Sequence, residues 1–426
     1  MIFLLLALSI IFPIFCTPEI AVSVSAQKNE RLPVVLVLPT GKQTLQKISE
    51  YIKKALEFKG QLAVTIETLG HALTREYVVQ KQKEGFVHVI SIQEGDNCFE
   101  WRGYDVSLPQ TIHTHGKRVA KRGTVLRAWA YALADSLHEA LTNEPAFFST
   151  KLAYVKKKPL KNGLHYNHIF IADYDGSNEE VLVETPTINI GPRWNNDSLR
   201  PLIFYSENTN ANMRLMVSDM KKKKIVASNF DGLNMLPTFS PDGKSVIFCA
   251  TRGTGSCQLY HWSNKVLKKL TNNEANNFSP HFGPEGTIVY FSADGDSKSP
   301  QIYSLHLGSG DIEKITPEGY CTSPAYCSFN KKLAYIKQVN GIMQLFTYDI
   351  QKKQHQQLTT DKAQKEECGW SPCGTYILCG VDNGITSRIA LFNTISKDYT
   401  YLTNAKDHCS YPTWSGIYHE YPVIGT

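Results

Sequence analysis

The sequence carries six copies of one short pattern at an almost constant spacing. The best copy, residues 237–243, reads PTFSPDG. The copies begin 45, 43, 44, 44 and 44 residues apart, at Pro192, Pro237, Pro280, Pro324, Cys368 and Pro412. A period in the forties, with several short apolar runs between turns, is typical of a β-propeller with one blade per repeat. The spacing therefore predicts an all-β, six-bladed β-propeller over residues 148–418.

Each part of the pattern has a physical role in a blade. Proline is tolerated at the first residue of a strand, where a missing N–H costs little. The aromatic residue two positions later lies on the same strand face and can pack between blades, and Ser-Pro-Asp-Gly then favours a turn. The region begins at residues 152–155, which resemble the strand that follows the pattern in each repeat. It ends at residues 411–415, a strand that contains the pattern. We therefore expect the C-terminal strand to close the ring beside the first blade.

A mixture of strands and helices precedes the repeats. Residues 33–38 form a continuous apolar run of strand length, and residues 43–58 place Leu45, Ile48 and Ile52 on one helical face. The same patterns predict further helices over 72–83 and 124–141, and strands over 19–26, 62–68, 86–92 and 99–106. Together these elements predict a small α/β domain over residues 19–143.

The first residues predict export. Residues 2–15 are apolar except for Ser9 and Pro13, a length that suits a secretory signal peptide and is too short for a transmembrane helix. We expect a signal peptide over residues 1–16 with cleavage near 16–18. Cys16 would suit lipidation, but the bulky Phe15 before it disfavours that processing. No later stretch approaches the length of a membrane span, so no stable span is expected.

Charge and motifs favour a protein without enzymatic activity. The net charge of +6 is too small an excess to indicate nucleic-acid binding. A peptidase with such a propeller needs a G-x-S-x-G elbow, which the sequence lacks. Gly41 and Lys42 follow an apolar strand, but no glycine lies at position 36, as a phosphate-binding loop would need. His113 and His115 lack a third nearby metal ligand. We therefore expect no catalysis, no cofactor and no bound metal.

The cysteines leave two alternatives open. Nine follow Cys16, and eight of these lie in the repeat region. Cys249 and Cys257 are equidistant from Gly253. If Gly253 is the centre of a hairpin, the two side chains face each other and would form a disulfide in an oxidising compartment. Two buried free thiols are the equal alternative.

The repeats, the order of the two domains and the exported N-terminus resemble the TolB family, the periplasmic propeller proteins of the Tol-Pal system. The likeness runs over the whole mature chain and includes FSTKLAYV at 148–155 and IADYDGSN at 171–178. The resemblance implies a periplasmic, monomeric scaffold that binds the lipoprotein Pal, TolA and other Tol-Pal components. Such a scaffold would serve envelope integrity and outer-membrane constriction in cell division.

The resemblance also implies where partners bind. In the family the mouth of the propeller channel docks Pal, which corresponds here to Leu233, Asn234, Met235, Leu236, Asn277, Phe278 and Ser279. The N-terminal segment and the α/β domain serve TolA, and the mobile segment corresponds to Glu19, Ile20, Ala21, Val22, Ser23 and Val24. The chain departs from the family at the Pal-facing loops, where Leu233, Phe278 and Ser279 replace the polar residues expected there.

An alternative function is that of an exported carbohydrate-binding or lyase-like propeller that acts in its channel. Such a protein needs several carboxylates or basic groups that converge on the channel. The polar candidates just before the repeats are Asn189, Asn234, Asn277 and Glu366. This set is sparse for catalysis, which favours the scaffold.

Overall fold

The computed structural model describes residues 31–95, 98–108, 111–119, 126–159, 165–197, 200–209, 211–253, 255–295 and 299–416. Its N-terminal part contains three helices, α1 (Gln43–Phe58), α2 (Arg75–Lys83) and α3 (Leu126–Thr142). Its five strands are β1 (Leu32–Pro39), β2 (Leu62–Leu69), β3 (His88–Gly95), β4 (Cys98–Asp105) and β5 (Ile112–Val119). They form one sheet in the order β2-β1-β3-β4-β5, with β1 parallel to β2 and β3 and the other pairs antiparallel. The predicted α/β character of this part is confirmed.

Helices cover both faces of this sheet, which explains the continuous apolar run of β1. Leu45, Ile48 and Ile52 of α1 are fully buried in a cluster that also contains α3 residues, whereas Val78 of α2 packs on the opposite face. Helix α2 begins three residues later than predicted because Thr74 caps it, its hydroxyl accepting a hydrogen bond from the Tyr77 N–H at 3.3 Å. Strand β5 was not predicted.

The first strands of the repeat region share one eight-stranded sheet with the last strand of the chain. It contains β6 (Lys151–Pro159), β7 (His165–Asp173), β8 (Glu180–Val183), β9 (Ile188–Trp194), β10 (Leu202–Asn208), β11 (Met213–Asp219), β12 (Lys224–Ser228) and β29 (Cys409–Trp414). The C-terminal β29 pairs antiparallel with β6. The strand pairing that joins the β6–β8 part to the β9–β12 part consists of one residue pair, Asn167 with Ile188.

The remaining strands form four separate four-stranded sheets. The first holds β13 (Asn234–Phe239), β14 (Ser245–Ala250), β15 (Gln258–Ser263) and β16 (Val266–Lys269), and the second β17 (Asn277–Phe282), β18 (Ile288–Ala293), β19 (Gln301–His306) and β20 (Ile312–Lys314). The third holds β21 (Cys321–Cys327), β22 (Lys332–Val339), β23 (Ile342–Asp349) and β24 (Gln354–Gln357), and the fourth β25 (Gln364–Trp370), β26 (Tyr376–Asp382), β27 (Ser387–Asn393) and β28 (Tyr399–Tyr401).

The predicted β-propeller is confirmed, but the prediction of six separate blades needs correction. Four blades are separate sheets, and the other strands belong to the eight-stranded sheet. The physical reason is the hydrogen-bonded contact between β7 and β9 at Asn167 and Ile188, which joins two sets of strands that the repeat pattern treats as independent.

Hydrogen bonds one repeat apart tie neighbouring inner strands together, where an inner strand is one that contains the repeated pattern. The Thr238 hydroxyl accepts from the Phe282 N–H at 3.3 Å, and the Trp370 indole N–H donates to the Ala325 carbonyl at 3.1 Å. The turn after the pattern behaves as predicted: Gly243 has a φ of 68° and its N–H donates to the Ser240 carbonyl at 2.9 Å. The repeated sequence therefore builds the ring and its turns.

The two parts of the protein share one apolar core. Phe147 and Phe148 in the connection between them are fully buried, and their cluster includes Trp129 of α3 and Tyr376 of β26. The rings of Phe147 and Tyr376 lie 5.6 Å apart, edge to face. This packing fixes the α/β part against the propeller. Within the residues described, no helix is both long and apolar enough to span a membrane.

Candidate partner-binding face

The antiparallel strands place the start of every inner strand at the same end of its sheet as the turn between the second and third strands. In the sheet of β13 to β16, for example, Asn234 pairs with Ala250, which in turn pairs with Gln258. We call this end of the propeller the mouth face. The α/β part contacts the opposite end, through Lys54 with Asp175 at 2.6 Å and Phe147 with Tyr376. Among the residues described, these contacts leave the mouth face uncovered.

A central channel runs between the inner strands and extends toward the end opposite the mouth face, where Pro241 and Ser328 line it. Residues from β9, β13, β17, β21, β25 and β29 line one cavity of about 380 Å³. Each of these inner strands contains a bulge, and one residue in each bulge has a positive φ: Gly191 (58°), Leu236 (51°), Ser279 (49°), Ser323 (54°), Glu367 (43°) and Tyr411 (52°). A bulge interrupts the ladder and changes the direction of nearby side chains. The residues that surround the channel are therefore set by these six bulges.

An ion pair crosses the channel wall. Arg193 of β9 and Glu367 of β25 meet at 2.6 Å, and the Ser323 hydroxyl donates to the same carboxylate at 3.2 Å. The pair joins strands on either side of β29, and it neutralises the one arginine that lines the cavity among the residues described. No sequence motif indicated it, because its members are 174 residues apart.

His281 is a neutral part of the wall near neutral pH. Burial, with a smaller contribution from the Arg193 guanidinium, lowers the pKa of its ring to about 4, although the contact with the Phe282 carbonyl opposes this shift. Its Nδ1 lies 3.2 Å from the Tyr326 backbone N–H, one repeat later. This contact is another link between inner strands, and it suits a structural role for His281.

Two carboxylates, those of Glu366 and Asp382, lie near each other where β25 starts and β26 ends, at the mouth face. Glu366 keeps contact with solvent, but nearby protein atoms partly desolvate its carboxyl group and raise its pKa, and the Asp382 and Glu367 carboxylates add to the rise. Among the residues described, no group of three or more His, Cys, Asp and Glu side chains could hold a metal ion. The geometry therefore offers a surface for binding and one channel with few charged groups.

Four of the predicted Pal-facing residues have buried side chains. Asn234 and Asn277 are fully buried, and Leu236 and Ser279 are buried within bulges. The Asn234 amide donates to the Met213 and Phe230 carbonyls at 2.9 and 2.7 Å, so it holds the loop before β13 in place. These four side chains cannot form the outer surface of the mouth face. Leu233, Met235 and Phe278 keep exposed or half-buried side chains there.

The mouth face also carries apolar side chains that the sequence did not single out. Ile188 begins β9, Tyr320 precedes β21 and Ile385 lies in the turn between β26 and β27. With Leu233 they form the apolar rim, which we define as Ile188, Leu233, Tyr320 and Ile385. All four are exposed, Ile385 to 81%. Exposed apolar residues grouped on one face often mark a protein-binding site.

The predicted N-terminal mobile segment and the predicted disulfide have different outcomes. Glu19, Ile20, Ala21, Val22, Ser23 and Val24 lie outside the described residues, as does the signal peptide. Cys249 and Cys257 are both free, and Cys249 pairs with Leu259, so Gly253 is not the centre of the hairpin. Burial, together with the neighbouring Cys257 thiol, raises the pKa of Cys249 well above its usual range. A disulfide between them stays a prediction.

Known proteins resemble the chain over both parts. The sequence model of the family described as TolB beta propeller domain matches residues 138–418. The Tol-Pal system protein TolB of Francisella tularensis subsp. mediasiatica is 31% identical over 156 residues, 35% of this chain and 35% of that protein. The TolB of Gluconobacter oxydans is 26% identical over 241 residues, 56% of this chain and 52% of that protein. The chain thus aligns with about a third to a half of the length of these relatives.

The crystal structure of TolB from Acinetobacter baumannii has the same overall fold. The two structures superpose with a TM-score of 0.73 at 22% sequence identity, over 91% of this chain and 97% of the other. This likeness includes the α/β part as well as the propeller, because the aligned share is larger than the repeat region alone.

Proposed function

The chain belongs to the TolB β-propeller family, and from this premise we propose that it is a non-enzymatic periplasmic scaffold of the Tol-Pal system. In this role it binds the lipoprotein Pal through the propeller and TolA through its N-terminal segment, as a monomer. The observation that carries the proposal is the mouth face, which the described residues of the α/β part leave uncovered and which carries the apolar rim.

The composition of the mouth face supports a protein partner. Burial of Ile188, Leu233, Tyr320 and Ile385 against a partner would stabilise a complex by about 25 cal/mol for each Å² of apolar surface removed from water. Phe278 and Met235 lie half-buried near the starts of β17 and β13 and would extend this contact. A partner that covers the rim would also meet the exposed Glu366 carboxylate. We therefore expect the Pal-facing surface to be mainly apolar, with basic groups near its centre.

We further propose that the eight-stranded sheet acts as two blades, so that the ring has six units closed through β29. Two observations support this: only one residue pair of strand pairing joins its halves, and inner strands from six repeats line the channel. The domain limits, 19–143 and 148–418, stay predictions of the same proposal.

A binding experiment with purified Pal tests the main proposal. The double variant Leu233→Asp and Ile385→Asp should weaken Pal binding at least about tenfold, because two charges would be buried in an apolar contact. Ile395→Asp is the matched control: Ile395 is 76% exposed in the same blade but lies in the turn between β27 and β28, at the opposite end. Affinity is measured by calorimetry, with folding checked by circular dichroism.

Three results would contradict the proposal. Pal that fails to bind the unmodified chain would exclude the Pal-binding role. Loss of binding in Ile395→Asp, with the double variant unaffected, would place the contact on the other end of the propeller. A lyase or hydrolase activity that copurifies with the chain would favour the enzymatic alternative.

Deletion of residues 17–26 should abolish TolA binding and leave Pal binding intact.

A further inference from the structure

Two cysteines face each other across the two innermost strands of the last sheet. Cys368 of β25 is paired in register with Cys379 of β26. The Ser371 N–H donates to the Tyr376 carbonyl at 2.9 Å, and hydrogen-bonded and non-hydrogen-bonded pairs alternate along antiparallel strands. Counting back from Ser371, the Cys368 pair is non-hydrogen-bonded. In such a pair the Cα atoms lie about 4.5 Å apart, within the range that a disulfide spans.

The two thiols differ in their exposure to solvent. Cys368 and Cys379 pack in one small apolar cluster with Val381 and Ala390. Cys368 lines the channel and stays partly exposed, whereas Cys379 is buried behind it. Both are free thiols, and the Cys368 thiol donates to the Ser323 carbonyl at 3.1 Å. A small reagent in the channel can therefore reach Cys368 first, with Cys379 placed to react next.

The Cys249 and Cys257 pair is less well arranged. Cys249 is in register with Leu259, which sets Cys257 two residues away from the opposing position. Diagonal neighbours of this kind have Cα atoms about 7–8 Å apart, beyond the usual span of a disulfide. The register of the two hairpins thus favours the pair at 368 and 379.

We propose that Cys368 and Cys379 form a cross-strand disulfide when the chain meets a disulfide oxidant. The Cys368 thiolate attacks the oxidant, which releases one thiol and leaves a mixed disulfide. The Cys379 thiolate then displaces the second thiol and closes the S–S bond. Overall the two cysteines lose two protons and two electrons, and the oxidant is reduced to two thiols.

The bond would fix the bulge that shapes the channel. Cys368 directly follows Glu367, whose positive φ forms the bulge and whose carboxylate pairs with Arg193. A covalent link between β25 and β26 at this point holds the bulge against the second strand. Burial raises the pKa of both thiols, that of Cys379 to about 12, so thiolate is scarce near neutral pH. We therefore expect the disulfide to form slowly at pH 7 and faster at pH 9.

The test treats the purified full chain with glutathione disulfide, then alkylates remaining thiols, digests without reduction and identifies linked peptides by mass spectrometry. The expected product joins the peptides that contain Cys368 and Cys379, with two fewer free thiols per chain. Cys379→Ala should lose this product. Cys409→Ala is the control, since Cys409 is equally buried but faces Lys156.

The other outcomes separate a variant that fails to fold from a failure of the proposal. If Cys379→Ala does not fold, Cys368→Ala supplies the same test, because its side chain is partly exposed. Recovery of Cys368 and Cys379 as separately alkylated residues after full equilibration would overturn the proposal. A product that joins Cys249 to Cys257 in place of the proposed pair would also overturn it. The reaction is carried out on isolated protein, so its outcome is independent of any binding to Pal.

Discussion

Ending the chain at His408 should lower the free energy of unfolding of the propeller by about 5 kcal/mol or more, the scale of the whole stability of many domains. This deletion removes β29, the inner strand that pairs with β6. It removes the reciprocal bonds in which the Ser415 N–H donates to the Lys151 carbonyl and the Lys151 N–H donates to the Ser415 hydroxyl, each at 2.8 Å. It also removes the half-buried Trp414, whose ring lies 5.4 Å from that of Phe147.

The reason for so large an effect is that β29 has neighbours on several sides. Without it, the fully buried Ala153 and Val155 of β6 would lie at an open edge, and the shared core near Phe147 would lose one wall. Thermal and urea unfolding, followed by circular dichroism, measure the loss. A deletion of residues 417–426 alone is the control. A truncated chain that unfolds with an unchanged midpoint would show that β29 contributes little.

If the truncated chain cannot be purified, a milder variant still tests the contact. Ser415→Ala removes the acceptor for the Lys151 N–H and should cost about 1–2 kcal/mol. Hydrogen exchange at residues 152–155 should become faster in the same variant. Unchanged exchange there would contradict the importance of β29 for the edge of β6.

The repeat made most of the propeller predictable. Proline, an aromatic residue and a Ser-Pro-Asp-Gly turn each have local physical roles, so their spacing predicts strands and turns without knowledge of distant contacts. The joining of two strand sets at Asn167 and Ile188 depends on how two loops approach, which no local pattern encodes. The same limit explains why the count of separate sheets was wrong.

The candidate site was less predictable because its parts come from different repeats. The apolar rim draws single residues from four separate loops, and the Arg193 and Glu367 pair joins two distant strands. The buried asparagines were predicted to face a partner because the family resemblance places the partner-facing loops just before the repeated pattern. One position of the repeat is nevertheless regular. The residue three positions before each pattern is fully or almost fully buried in all six repeats: Asn189, Asn234, Asn277, Cys321, Lys365 and Cys409. A position that recurs in every repeat indicates a structural role.

The contact between the two parts of the protein should weaken as pH rises. Asp135 of α3 is buried, and its carboxyl group accepts hydrogen bonds from the Phe148 N–H at 2.6 Å, the Ser149 N–H at 3.0 Å and the Ser149 hydroxyl. Burial raises the pKa of this carboxyl from its ordinary value to about 7, although the three donors oppose the rise, and the nearby Glu139 adds to it. Asp135 therefore holds the connection between the parts in its protonated form in acid.

The direction in which the free energy of unfolding changes with pH follows from proton binding to Asp135. Between pH 4 and 7 the folded chain keeps a proton on Asp135 that the unfolded chain has released, so the free energy of unfolding falls as pH rises. The fall is about 1.4 kcal/mol per pH unit, up to about 4 kcal/mol by pH 7, and it levels off above that. Urea unfolding of the full chain at pH 4 to 8 measures the total change, and comparison with Asp135→Asn isolates the part due to this residue.

Asp135→Asn should be less stable than the unmodified chain at pH 4, because the amide leaves at least one donor without an acceptor, at a cost of about 1–3 kcal/mol. Since the amide does not ionise, this difference should shrink with rising pH and vanish or reverse near pH 7. Asp311→Asn, an exposed turn residue of the propeller, is the control and should leave the pH profile unchanged. Parallel profiles for the unmodified chain and Asp135→Asn would show that Asp135 is ionised throughout. In that case the three donors, rather than burial, would determine its charge, and the contact between the two parts would be insensitive to pH in this range.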